Sequence, residues 1–138
     1  AVGFTRLVGC AYRYFANNGG GHIACITSIA GTKGLGPAPA YSASKAMQNT
    51  YLQALEQLAI SKHHNIHFTD IRPGFVDTPL LAGSSRLPML MTTEKVARSI
   101  LKAVNSRRHV CVIDTRWAVL TFLWRLIPNW IWRRMKLC

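Results

Sequence analysis

Three short apolar runs constrain this chain more than any other feature: His22–Ser28 (HIACITS), Ile66–Ile71 (IHFTDI) and Val110–Ile113. They are rich in β-branched residues and bounded by glycine, proline or polar residues, as strands buried on both faces are. The stretches between them are far longer than a hairpin needs and carry helical periodicity instead. Residues 1–16 place Val2, Leu7, Val8, Ala11, Tyr12 and Phe15 at roughly helical spacing, stopping at Asn17-Asn18-Gly19-Gly20-Gly21. From Tyr41 to about Lys62, Ala46, Leu52, Leu55, Leu58 and Ala59 share one face without glycine or proline, and the segment ends in Lys62-His63-His64. Thr92-Thr93-Glu94 opens a third helix through about Asn105, with Val96, Ile100, Leu101 and Val104 on its apolar face. This order predicts an α/β fold with a parallel sheet and right-handed crossovers. Three strands leave an edge to be covered, so further strands are expected before Ala1.

Within 138 residues, 49% are hydrophobic and 16% charged, enough apolar content for one core and too much for a disordered polybasic tail. The four cysteines are widely spaced, and Cys25 and Cys111 lie inside apolar runs, which predicts buried free thiols rather than a disulfide framework. The opening AVGFTRLVG is not a signal peptide, and a cytoplasmic protein is expected. Lys and Arg number 17 against 5 Asp and Glu, a net charge of +12. Residues 1–71 hold five basic and two acidic residues (+3), whereas residues 72–138 hold twelve and three (+9). Nucleic acid, an anionic membrane surface or an anionic cofactor would each suit such a half.

The chemistry concentrates in Ser28, Tyr41 and Lys45. Ser28 ends a predicted strand, Tyr41 opens the long helix, and Lys45 lies one turn on, where i, i+4 spacing sets an ammonium beside a phenol. A phenol titrates near pH 10, and a neighbouring cation favours phenolate and brings it toward a range useful for proton transfer. Both Ser28 and the Pro73-Gly74 loop fall at the carboxyl ends of strands, the binding side of an open parallel sheet.

Ser28 within ITSIAG, Tyr41 thirteen residues later within YSASK, and then Arg72-Pro73-Gly74-Phe75-Val76-Asp77-Thr78 together resemble the short-chain dehydrogenase/reductase family. The resemblance implies a Rossmann-type doubly wound parallel sheet, and an oxidoreductase that interconverts a hydroxyl and a carbonyl with NAD or NADP. It implies that Tyr41 is the general acid/base, that Lys45 lowers its pKa and binds the nicotinamide ribose, and that Ser28 orients the substrate oxygen. Pro73, Gly74, Val76 and Thr78 match the loop that contacts the nicotinamide end. Gly74 is expected to let the chain approach a ligand because it lacks Cβ.

The family's TGxxxGxG loop is absent from these residues. The chain is therefore expected to be the C-terminal half of the domain only, inactive by itself, with the family's catalytic Asn falling at or just before Ala1. A small-molecule carbonyl or alcohol of apolar or lipid-like character is the expected substrate, met by the loop from Leu80 to Met91. The resemblance also implies a homo-oligomer formed through residues 1–16 and 41–62. A non-enzymatic dimerisation module is the alternative from another class.

Two other patterns are weaker. Gly31, Gly34 and Gly36 lie between a strand and a helix like a dinucleotide loop, but Pro37 and Pro39 intervene where a phosphate needs a helix N-terminus at once. His63, His64 and His67 lack neighbouring carboxylates or cysteines, so no metal site is expected.

Residues 1–114 are expected to form the catalytic domain, with 115–138 a separate helical segment. That segment, from Trp117 to Cys138, holds all four tryptophans and five of its residues and flank are basic, Arg116, Arg125, Arg133, Arg134 and Lys136. It suits a lid or dimer contact, or peripheral contact with an anionic membrane, and it carries no nucleic-acid-binding motif.

Overall fold

A computed structural model of the chain describes residues 1–78 and 88–136. The elements run α1 (Val2–Asn17), β1 (Gly21–Ile26), a 3-10 turn (Ile29–Gly31), α2 (Pro39–Ser61), β2 (Ile66–Arg72), α3 (Thr93–Asn105), β3 (Val110–Val112), α4 (Thr115–Leu126) and α5 (Asn129–Trp132). The sheet order is β1-β2-β3, and both pairings are parallel: Gly21 faces Ile66 and Asp70 faces Val110.

One core lies between the sheet and α1 with α2, where Val8, Tyr12, Leu52, Leu55 and Ala59 pack on Ile23, Ile66 and Phe68. The other lies on the opposite face, where Val96, Ala103 and Trp117 pack on Ile71, Cys111 and Ile113. Burial of each large apolar side chain contributes about 1.5–3 kcal/mol. The sheet is thus wound on both faces.

The expectation that confined the Rossmann-type arrangement to a C-terminal half is corrected here. The parallel α/β arrangement spans nearly the whole chain, from Val2 to Trp132, because α1 already covers one face and α3 with α4 the other.

The helices start and stop for local reasons. Pro39 sits in the first turn of α2, where its missing N–H costs nothing. Thr92 caps α3 by accepting from the Lys95 N–H, with Glu94 in the first turn and Lys102 in the last, both suited to the helix dipole. The predicted faces need adjustment. Val2, Leu7, Leu58 and Leu101 are exposed, while Ser42, Asn49 and Ala103 are buried. Cys111 is buried, Cys25 half-buried and Cys10 exposed, all as free thiols; Cys138 lies outside the described residues. Burial first, and then the Asp70 charge, push the Cys25 thiol up to about 11.

Asp114 joins β3 to α4 with a φ of +74°, a left-handed conformation that a short polar side chain tolerates. Its carboxylate accepts from the Arg116 backbone and guanidinium at 2.9–3.0 Å and from Lys95 Nζ at 2.7 Å. Those bonds, the Arg116 guanidinium first, hold the carboxyl well below its ordinary range. A depressed carboxyl stabilises the fold above its unfolded pKa, and that contribution is lost as pH falls through the folded value. Asp114→Asn, which keeps the cap and the backbone preference, should therefore be less stable than wild type at neutral pH. The gap should close as pH falls below about 4, and urea unfolding followed by tryptophan near-UV circular dichroism at stepped pH checks it. A constant gap would remove the Asp114 charge from the linkage.

Candidate functional site

The pairing of β1 with β2 continues past the strand ends. The Thr27 N–H donates to the Ile71 carbonyl at 2.7 Å and the Ile29 N–H to the Pro73 carbonyl at 3.2 Å. Ser28, between them, is thereby fixed beside the loop that follows β2. Its Oγ accepts the Ala30 N–H at 3.1 Å as cap of the 3-10 turn and lies 3.5 Å from the Pro73 carbonyl. The first bond holds the oxygen; the second is at the limit of a hydrogen bond, so the hydroxyl proton is almost uncommitted.

Beneath Ser28 lies a buried ionic cluster. Thr27 Oγ1 donates to Asp70 Oδ1, and Arg72 grips Asp70 Oδ2 through Nε at 2.8 Å and Nη2 at 2.6 Å. Sequence reading missed this cluster, although an Asp in an apolar strand with an Arg two residues on, hence on the same face, is a visible signal.

The 3-10 turn presses against α2. A Cβ on Gly31 would lie 2.6 Å from the Lys45 backbone and 2.4 Å from Asn49 Nδ2, so the turn can seat there only as glycine. Asn49 is buried, and among the described residues neither of its amide atoms has a hydrogen-bond partner.

On α2, Lys45 Nζ stands 5.7 Å from the centre of the Tyr41 ring, over its face, and donates to Gln48 Oε1 at 3.1 Å. The i, i+4 spacing therefore brings the cation to the phenol as expected. Burial lowers the Lys45 pKa, and the Asp70 carboxylate partly opposes that. Tyr41 is 48% exposed, so its hydroxyl is reachable. Ser28 and Tyr41 are not bonded to each other: among the described residues, Ser28 Oγ turns to Ala30 and Pro73.

The loop Pro73–Thr78 is held by a parallel bridge between Val76 and Met91, in which the Met91 N–H donates to Phe75 and the Asp77 N–H to Met91. That bridge leaves the Val76 amide and carbonyl free of it. Pro73 is buried and Thr78 half-buried at the end of the described stretch. A Cβ on Gly74 would meet the Trp117 indole at 2.3 Å, so packing of α4 also requires glycine at this position. Trp117 Nε1 in turn donates to the Met89 carbonyl at 3.3 Å. Of the expected substrate loop, residues 80–87 lie outside the described residues.

The segment after Asp114 clamps the glycine loop. Trp124 Nε1 donates to Thr32 Oγ1 at 2.8 Å, Trp132 Nε1 to the Gly34 carbonyl at 2.7 Å, and Lys33 Nζ to the Ile127 carbonyl and Asn129 Oδ1. A cavity of about 690 Å³ lies between that loop and α5, with Lys33, Asn129, Trp132 and Arg133 in its wall. A second, of about 440 Å³, continues along Gly31, Leu35 and the α2 residues Ser42 and Ala46. His64 Nδ1 bonds the Tyr12 hydroxyl at 3.0 Å, and His67 Nε2 lies 3.0 Å from Arg107.

The family model described as "short chain dehydrogenase" matches residues 1–87. The chain belongs to the short chain dehydrogenase family. Because the match begins at Ala1 and occupies the N-terminal two-thirds of the chain, the expectation of a C-terminal-only piece lacking the N-terminal motif is overturned. An uncharacterized oxidoreductase of Myxococcus xanthus is 31% identical over 110 residues, covering 79% of this chain and 43% of that protein. The short-chain dehydrogenase/reductase family 16C member 6 of Bos taurus is 30% identical over 114 residues, covering 79% and 36%. The chain thus spans less than half the length of these curated relatives. A short-chain dehydrogenase from Sphingobium yanoikuyae, solved in complex with NADPH, superposes with a TM-score of 0.75 at 19% identity, covering 100% of this chain and 55% of that one. At that identity the likeness establishes the dehydrogenase fold.

The Gly74–Trp117 contact supplies a test of this layout. Gly74→Ala should cost about 1–3 kcal/mol, as overpacking of a filled site does. Gly34→Ala, whose Cβ would meet nothing within 4 Å, should cost far less. Urea denaturation of the two variants compares them, and equal stability would show that Trp117 is not seated on Gly74.

Proposed function

We propose that this short chain dehydrogenase is an NAD(P)-dependent oxidoreductase interconverting a hydroxyl and a carbonyl group, with Ser28, Tyr41 and Lys45 as its catalytic residues. The observation that carries the reading is Lys45 Nζ held 5.7 Å over the ring of an exposed Tyr41, on the carboxyl side of a parallel sheet.

The residues present suit the nicotinamide end of a dinucleotide. Lys45 and Tyr41 offer a cation and a hydroxyl for ribose oxygens, the Val76 amide group, which the bridge to Met91 does not use, suits a carboxamide, and Thr78 adds a hydroxyl beside Pro73 and Gly74. When bound, the dinucleotide supplies or accepts a hydride. The protein's own part is to place and move a proton. Ser28, its oxygen held by Ala30, turns its nearly free proton to the substrate oxygen. Tyr41 donates a proton to that oxygen in reduction and takes it back in oxidation. Lys45 stabilises the phenolate left behind, and the low-lying Asp70 charge helps keep Lys45 protonated despite its burial. The substrate is a small carbonyl or alcohol compound of apolar character, consistent with the Leu35, Pro39 and Ala46 wall of the cavity beside α2.

Tyr41→Phe should lower kcat/KM for ketone reduction by about a hundred- to ten-thousand-fold while leaving NAD(P)H binding unchanged, measured by steady-state assay and fluorescence titration. Lys45→Met should move the pH profile of alcohol oxidation to higher pH, because phenolate then forms without a neighbouring cation. Undiminished turnover in Tyr41→Phe would exclude it as the acid/base.

A further inference from the structure

The α4 helix carries two apolar stripes on opposite sides. Trp117, Thr121 and Trp124 point inward, Trp117 onto Gly74 and Trp124 onto the glycine loop. Val119, Phe122, Leu123 and Leu126, spaced i, i+3, i+4 and i+7, form a second stripe, and all four are more than half exposed. Trp130, four residues after the last of them, is exposed on α5. A stripe of large exposed apolar side chains on one helix face marks an interaction surface.

The charges around the stripe say what covers it. Arg116 and Arg125 flank it on α4, and exposed Arg133, Arg134 and Lys136 follow α5. Residues 115–138 contain no Asp or Glu, and Asp114 at the head of α4 is already gripped by Lys95 and Arg116. A second copy meeting this face about a two-fold axis would set the same arginines against one another with no acid to pair them. An anionic lipid surface offers both the apolar layer and the counter-charge, and it suits an exposed Trp at its boundary. No described helix is long and apolar enough to cross a membrane, so contact along the plane is the geometry available.

We propose that the outward face of α4 and α5 docks on an anionic membrane surface, with Val119, Phe122, Leu123, Leu126 and Trp130 entering the interface and Arg125, Arg133, Arg134 and Lys136 meeting lipid headgroups. The inward tryptophans keep the docked helices fastened to the glycine loop. The docking stands apart from the catalytic reading, since vesicle binding needs no turnover.

Cosedimentation of the whole chain with phosphatidylcholine vesicles, with and without phosphatidylserine, tests it. Wild type should pellet with the phosphatidylserine vesicles, lose that binding in high salt, and show a blue shift in tryptophan fluorescence. The variant Arg125→Glu/Arg133→Glu/Arg134→Glu should partition about five-fold or more weaker for each cation removed. Phe122→Ser/Leu126→Ser should lose the blue shift while its circular dichroism stays native. If that double variant unfolds, the charge variant alone decides. Wild type that stays in the supernatant, or variants that pellet as well as wild type, would overturn the proposal. So would light scattering that finds a dimer dissolved by Phe122→Ser/Leu126→Ser with vesicle binding unaffected, which would assign the stripe to a second copy.

Discussion

The hydrogen bonding between β1 and β2 continues past the ends of both strands, and the site depends on that extension. The bonds from Thr27 to Ile71 and from Ile29 to Pro73 bring two loops, distant in sequence, to one point at the carboxyl edge of the sheet. Asp70 braces the same point from below, since its two oxygens tie Thr27 of one strand to Arg72 of the other. A buried carboxylate is costly unless paired and hydrogen-bonded, and here both conditions are met by groups on the strand ends. Ser28 thus inherits its position from backbone geometry and needs its side chain only for one cap. The price of that rigidity falls on Gly31, which must stay without a Cβ for the turn to rest on α2.

The helices after β3 are bound to this edge by three indole rings. Trp117 fills the space over Gly74, Trp124 reaches Thr32, and Trp132 reaches Gly34 with Lys33 5.4 Å from its ring. Each indole pairs its one N–H, so burying the rings leaves no orphaned donor. The loop that could pass for a phosphate cradle is instead spent on receiving the C-terminal helices. Its carbonyl at Gly34 and its hydroxyl at Thr32 already have donors, in keeping with the prolines that separate it from α2.

Local signals carried the reading where partners are close in sequence. The three strands lie within two residues of the apolar runs, and Tyr41 and Lys45 meet because one helical turn joins them. Helix faces were less legible, because periodicity shows that a stripe exists but not which other element meets it. Leu7, Leu58 and Leu101 fit their stripes and remain exposed, while Asn49 is buried against Gly31 of the 3-10 turn and Ser42 at the glycine loop, where its Oγ accepts the Leu35 N–H. The contact between Gly74 and Trp117 was illegible for the same reason: Trp117 stands in another element, beyond α3 and β3 in sequence. The extent of the parallel α/β arrangement was illegible because it is set by which helix packs on which sheet face, and α1, α3 and α4 meet the sheet through contacts between elements distant in sequence.

The charge imbalance changes meaning once the fold is known. Carboxylates in this chain are largely consumed inside it: Asp70 by Arg72 and Thr27, Asp114 by Lys95 and Arg116, Glu56 by His109. Among the described residues, the cations beyond Arg116 have no carboxylate partner, and they lie along and after a helix whose inward side is already packed. A helix that satisfies its core with Trp117, Thr121 and Trp124 has no structural need for Val119, Phe122, Leu123 and Leu126 on the other side. Large apolar side chains held in water bring no folding stability, so the proposed docking gives their regular spacing beside these arginines a use that the core they face away from does not.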